Sequence, residues 1–263
     1  MSDHYAELLM YVAPEPIQHA NQEWITRILE HLNLGQLNAD HLDLHGLWLA
    51  PELLVSQTCG YPLMTQLRGQ VRVIGRPRYA LPHSRDGEHC SLLLTHDANP
   101  RRALADFYNS RGVINGHDSN SGMNLLRERL APLQRDGRFF ASVGISGAHR
   151  ESLRWLREGR ADLAAIDSVT YAYLARFAPQ DVAGLRIVTR SAPSPTLPYI
   201  GALGLSDTQV IQLRQAMNQA LQDLPQVAQT LGLQEVLPTS EDDYQVLLSY
   251  QQQAVSAGYL ILQ

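Results

Sequence analysis

Short apolar runs alternate with helical segments along this chain, and that alternation constrains the fold more than any other feature. Residues 8–12, 51–58, 71–74, 91–95, 112–115, 139–145, 161–166 and 185–189 read as strands. Helical patterns occupy 17–32, 62–67, 123–133, 150–159 and 169–177. Two more helices close the chain, one opening on the capping-box pattern Ser206 to Gln209 and one spanning about 239–257. Strands separated by helices imply β-α-β units and an α/β fold. The proline-rich stretches around 77–90 and 190–198 bracket the middle segment. The simplest architecture has two lobes, 1–94 with 192–263 and 95–191, each a mixed, mainly parallel sheet flanked by helices. Two crossings would form a hinge, with a ligand cleft between the lobes at the carboxyl ends of the strands.

Charge narrows the function. The 21 cationic residues are all Arg, so Schiff-base, P-loop and kinase lysines are excluded. Residues 1–66 hold one Arg against eight acids, net −7; residues 67–160 hold sixteen against nine, net +7; residues 161–263 hold four against nine, net −5. A basic middle between acidic ends suits a small anionic partner. Nucleic acid is not expected, because the whole chain is acidic and no Arg block alternates with aromatics. No apolar run reaches the roughly 18–20 residues of a membrane span. Cys59 and Cys90 make neither a disulfide framework nor a zinc spacing, and no cofactor or metal is expected. The opening MSDHYAELLMYVAPEPI lacks a basic n-region and an apolar h-region. On that reading the chain is cytoplasmic, or a mature form without its leader.

The strand-to-helix loops hold the candidate ligand residues. In GHDSNSG, residues 116–122, three polar side chains (Ser119, Asn120 and Ser121) precede a helix, and Gly122 would let backbone approach a ligand. The first N–H groups of a helix lack intrahelical acceptors, and the dipole adds positive character, so an oxyanion can sit there without lysine. Each of these residues could equally be a helix cap. In SGAHRES, His149 falls in the first turn of the next helix, and Asp167 ends the strand before the one after that. Asp167 reads either as a cap or as an acceptor for a ligand proton or amine. Thr58 and Tyr61 in QTCGYP and Tyr11 after the first apolar run are further candidates. Cys59, His149 and Asp167 contain the residue types of a nucleophilic triad, and His41, Asp43 and His45 those of a metal site, but no local signature supports either.

Four runs carry a family resemblance: QTCGYPL, NGHDSNSG, SGAHRESLRWLREGRADLAAIDSVTYAYL and SAPSPTLPYI. Over roughly residues 8–220 the chain resembles the phosphate/phosphite/phosphonate-binding proteins of ABC importers, with the type 2 periplasmic-binding-protein fold. The resemblance implies a binding protein, not an enzyme, in which Ser119, Asn120, Ser121 and His149 hold the anion. It implies an ABC permease as partner and a periplasmic location. Where that family places an aromatic contact, this chain reads GEHCS, so His89 replaces it and Ser91 follows. Asp167 matches a carboxylate that in amine-bearing phosphonate binders holds the amine. An alternative is a cytoplasmic enzyme on the same fold, acting on a small carboxylate or pyrimidine metabolite. A cytoplasmic solute sensor is a third.

Overall fold

The computed structural model describes residues 3–263. The chain forms two compact units, one from residues up to Glu88 with Pro195–Tyr244, the other from His89–Ser194 with Gln245–Gln263. The sequence reading kept the whole of 192–263 in the first lobe. The last helix, Gln245–Ser256, instead belongs to the second unit. There Asn124 Nδ2 donates to Leu247 O at 3.0 Å and Arg127 Nη1 to Leu260 O at 3.0 Å, while the Phe139 N–H reaches Gln263 O at 2.7 Å.

The first unit holds a six-stranded sheet in the order Leu233–Leu237, Val71–Tyr79, Tyr199–Ala202, Leu53–Gln57, Asp3–Glu7, Gly35–Gln36. Asp3–Glu7 is parallel to both its neighbours, whereas Tyr199–Ala202 and Leu233–Leu237 pair antiparallel. Helix Glu15–Leu32 buries Ile17, Ala20, Trp24 and Ile28 along one stripe, the spacing of a half-buried helix. Its Trp24 indole donates to Met217 O in helix Asp207–Asp223, which opens on the expected Ser206 to Gln209 capping box.

Three readings of this unit need correction. The apolar run 8–12 is not a strand: Leu8 and Tyr11 are buried, but the first ladder ends at Glu7. Strand Val71–Tyr79 continues through Pro77. Its pairing with Tyr199–Ala202 ends at Gly75, so Pro77 has a strand partner only in Leu233–Leu237 and its missing N–H costs no ladder bond on the other side. Tyr199–Ala202 and Leu233–Leu237 were not expected, the first because it directly follows prolines.

The second unit places the candidate residues. Its sheet runs Leu185–Arg190, Ser91–His96, Leu163–Asp167, Arg111–Ile114, Ser142–Ile145. The last three strands are mutually parallel, so their carboxyl ends share one edge. Ser91–His96 is antiparallel to Leu163–Asp167, with Ser91 opposite Asp167. An antiparallel strand starts where its neighbour stops, and His89 and Ser91 therefore enter at that same edge. Below it, Leu92, Leu94, Val113, Leu153, Ile166 and Leu174 form a core with almost no exposure.

Candidate functional site

Three parallel strands deliver three loops to the shared edge. After Arg111–Ile114 the chain turns through Ser119 into a π-helical turn, Asn120–Asn124, continued by helix Leu125–Leu130. The wide turn is closed by Asn124 N–H to Ser119 O at 3.0 Å. Such single π turns concentrate at functional sites because they re-aim a few side chains without ending the helix. After Ser142–Ile145, Gly147 at φ +88 reverses the chain into helix His149–Arg157, a conformation that favours glycine. After Leu163–Asp167 the chain enters helix Ser168–Phe177 directly.

The polar candidates divide by what their atoms already hold. Ser119 is the cap: its Oγ accepts from Gly122 N at 2.9 Å. The Asn120 amide donates to Ser194 Oγ at 3.2 Å, and its carbonyl accepts from Asn124 Nδ2 at 3.2 Å. Ser91 Oγ donates to Ser121 O at 2.8 Å, so it braces the turn from the neighbouring strand. Ser121 is the side chain that points to a second loop, its Oγ 2.9 Å from His149 Nε2. The Asn120 and Ser121 N–H groups open the helix, where helical acceptors are missing. The turn, the hydroxyl and the imidazole thus form one donor cluster suited to an oxyanion.

Asp167 is both a cap and half of a buried pair. Its Oδ1 accepts from Val169 N at 2.8 Å and Thr170 N at 2.9 Å. Its Oδ2 lies 2.8 Å from His89 Nδ1 in a bent approach, with both residues 2% exposed. Burial pushes the Asp167 carboxyl up, but the His89 and His149 rings and the helix N–H groups more than offset it, so it titrates below the usual carboxylate range. His149 moves the other way. Burial, opposed by Asp167 and reinforced by His89, lowers it from 6.5 to about 4. The ring is therefore neutral at pH 7.

That shift has a sign that stability measurements can read. Below pH 6.5 an unfolded chain protonates His149, whereas the folded ring waits until about 4. Folding stability from this group is complete above 6.5 and declines as pH falls through that window, by about 3 kcal/mol at most. Urea midpoints between pH 7 and 4.5 should fall less steeply in His149→Gln than in the parent; equal slopes would contradict the shift.

Sequence reasoning missed Asn115, which gives Gly122 a second reason to be glycine. A Cβ built on Gly122 would lie 1.8 Å from Asn115 Oδ1 and 3.2 Å from His149 Cε1. The glycine makes room for Asn115 at the end of its strand, and Asn115 Oδ1 is buried with no hydrogen-bond partner. Its place as the last residue of GVIN, immediately before the turn, was the available signal. Gly122→Ala should force Asn115 aside and destabilise the protein by about 1–3 kcal/mol, measured by chemical denaturation, with weaker anion binding alongside; an unchanged midpoint would show that Asn115 swings away freely.

Tyr11, Thr58 and Tyr61 lie in the first unit and are buried. Tyr11 stacks edge-on against Tyr79, 6.5 Å between centroids. Thr58 donates to Cys59 O at 3.3 Å. Asp43 caps helix Leu44–Trp48 by accepting from Gly46 N. Among the described residues, no helix is long and apolar enough to cross a membrane.

Residues 53–244 match the family model described as ABC transporter, phosphonate, periplasmic substrate-binding protein. The chain belongs to this phosphonate-binding family. The family supplies the substrate-binding component of ABC transporters and is not an enzyme family, so the expectation of a cytoplasmic enzyme is set aside. Membership implies a ligand and a permease partner, and the family is periplasmic. No curated protein matches in sequence.

Solved structures show the same fold. A binding protein component of an ABC phosphonate transporter from Pseudomonas aeruginosa superposes with TM-score 0.77 at 14% identity, covering 98% of this chain and 88% of that one. PhnD1 from Prochlorococcus marinus, in complex with methylphosphonate, gives 0.71 at 11% identity, covering 96% and 97%. A Xanthomonas citri protein bound to chloride ion gives 0.67 at 13%, covering 99% and 98%. The expected α/β periplasmic-binding-protein fold is borne out, with sheets that are mixed.

Proposed function

We propose that this protein binds a small phosphorus oxyanion (phosphate, phosphite or phosphonate) and passes it to an ABC permease from the periplasmic side. The observation that carries the reading is the 2.9 Å contact between Ser121 Oγ and His149 Nε2 at the opening of the π-helical turn. It joins two loops that are separate in sequence at the edge where parallel strands end. Helix-opening N–H groups and a hydroxyl held by an imidazole are donors suited to a tetrahedral anion, and none of them requires lysine. Each hydrogen bond to a charged group contributes about 1.5–3 kcal/mol. Four or five of them support micromolar binding after association costs. Ser91 braces the turn from the neighbouring strand.

Isothermal titration with phosphate, phosphite and methylphosphonate tests it. Micromolar or tighter binding of at least one is the expected result. Heats no larger than dilution for all three would overturn the proposal.

A further inference from the structure

Arg127 is the one arginine among the described residues that is buried, at 6% exposure. A cation taken out of water is costly and ordinarily sits against a carboxylate. Arg127 does not. Among the described residues it forms no ion pair, and both of its acceptors are carbonyl oxygens: Nη1 donates to Leu260 O at 3.0 Å and Nη2 to Asn124 Oδ1 at 2.9 Å. Its Nε is buried with no hydrogen-bond partner. The Tyr259 phenol feels the guanidinium, but burial raises it well above its ordinary value and keeps it neutral. The cation is therefore left without a negative partner.

The Asn124 contact gives that charge a direction. A guanidinium only donates, so Asn124 turns Oδ1 to it and has Nδ2 left to give. That amide, wholly buried, donates to Asn120 Oδ1 at 3.2 Å and to Leu247 O at 3.0 Å. Asn120 is left in turn with Nδ2, which reaches Ser194 Oγ at 3.2 Å. Two amide dipoles thus point their positive ends away from the guanidinium, and the second belongs to the first residue of the π-helical turn. Helix Leu125–Leu130 continues that turn, and long helical side chains lean towards the N-terminus. The guanidinium accordingly stands within roughly 10 Å of the N–H groups that open the turn.

We propose that Arg127 is the counter-charge of the bound oxyanion: the ligand supplies the negative charge that this buried cation lacks, and the Asn124 and Asn120 amides carry its field to the turn. Arg127 touches no ligand atom in this arrangement and is a positioning residue. The inference rests on the oxyanion reading above and adds the charge that its neutral donors do not provide. The Ser121 hydroxyl and the neutral His149 ring bring no net charge, and Asp167 at the same sheet edge is negative. At roughly 10 Å in a protein site, one unit of ligand charge facing a guanidinium is worth about tenfold in affinity.

The experiment is titration calorimetry of the full chain with methylphosphonate, phosphate and phosphite, each as monoanion and as dianion, at pH values on either side of its second ionisation. The parent, Arg127→Gln and Arg127→Met are compared at each pH, with melting curves to check the fold. Comparison at equal pH cancels the titration of groups that all three proteins share. Gln keeps a donor for Asn124 and loses the charge; Met loses both. Either variant should bind the monoanion about tenfold more weakly than the parent and the dianion about a hundredfold more weakly. Each variant yields that comparison alone if the other fails to fold. A loss by the same factor for both charge states is what a merely structural role would give. That result, or a Gln variant within threefold of the parent for the dianion, would overturn this proposal and leave oxyanion binding intact. A parent that binds none of the three ligands in either state would overturn both.

Discussion

Replacing Ser121 and His149 together by alanine is expected to weaken oxyanion binding by more than tenfold without unfolding the protein. The two side chains meet at 2.9 Å at the mouth of the turn, where the imidazole holds the hydroxyl that donates to the anion, so their removal takes away that donor and its support. Each lost bond to a charged ligand is worth about 1.5–3 kcal/mol. The single effects will not add, because residues in one hydrogen-bonded network share their energy. Either single variant should therefore show much of the loss of the double. Titration calorimetry with the tightest of the three phosphorus oxyanions measures the affinity, and a melting curve checks the fold. An affinity within threefold of the parent would place the binding site elsewhere.

The second large effect is on stability. Asp167→Ala removes the cap of helix Ser168–Phe177, worth about 1 kcal/mol. It also strands His89, whose ring keeps its burial and loses its partner. Breaking a buried pair from one side costs about 3–5 kcal/mol. Chemical denaturation should thus show a loss of several kcal/mol, far beyond a surface substitution. Asp167→Asn should lose much less, because it retains both the cap acceptor and a group facing Nδ1. The Asp167 contribution is complete above the ordinary carboxylate range and is lost as pH falls through its lowered folded value. If alanine and asparagine destabilise equally at neutral pH, the pair with His89 contributes nothing.

Much of the site was legible because it follows from local rules. A strand that ends in polar residues before a helix marks a carboxyl edge, and three such loops, at Ser119, His149 and Asp167, were found from sequence alone. Ser206 as a cap was legible for the same reason. What local pattern could not supply was pairing at a distance. His89 and Asp167 are brought together by the antiparallel register of two strands, and nothing near either residue announces the other. The final helix reads as an ordinary amphipathic segment, and long-range contacts such as Asn124 Nδ2 to Leu247 O assign it to the second unit. Asn115 escaped notice because its importance lies in a glycine seven residues on.

The sheet order of the second unit has a mechanical corollary. Ser191 N–H donates to Ser91 O at 2.9 Å, and the Asn120 amide reaches Ser194. His89 and Ser194 also stand at two of the three places where the chain passes between the units, the third lying before Gln245. Because Ser91 and Asn120 join the Ser121 turn to residues 191–194, binding there is expected to change amide exchange at 191–194, a local gauge of occupancy.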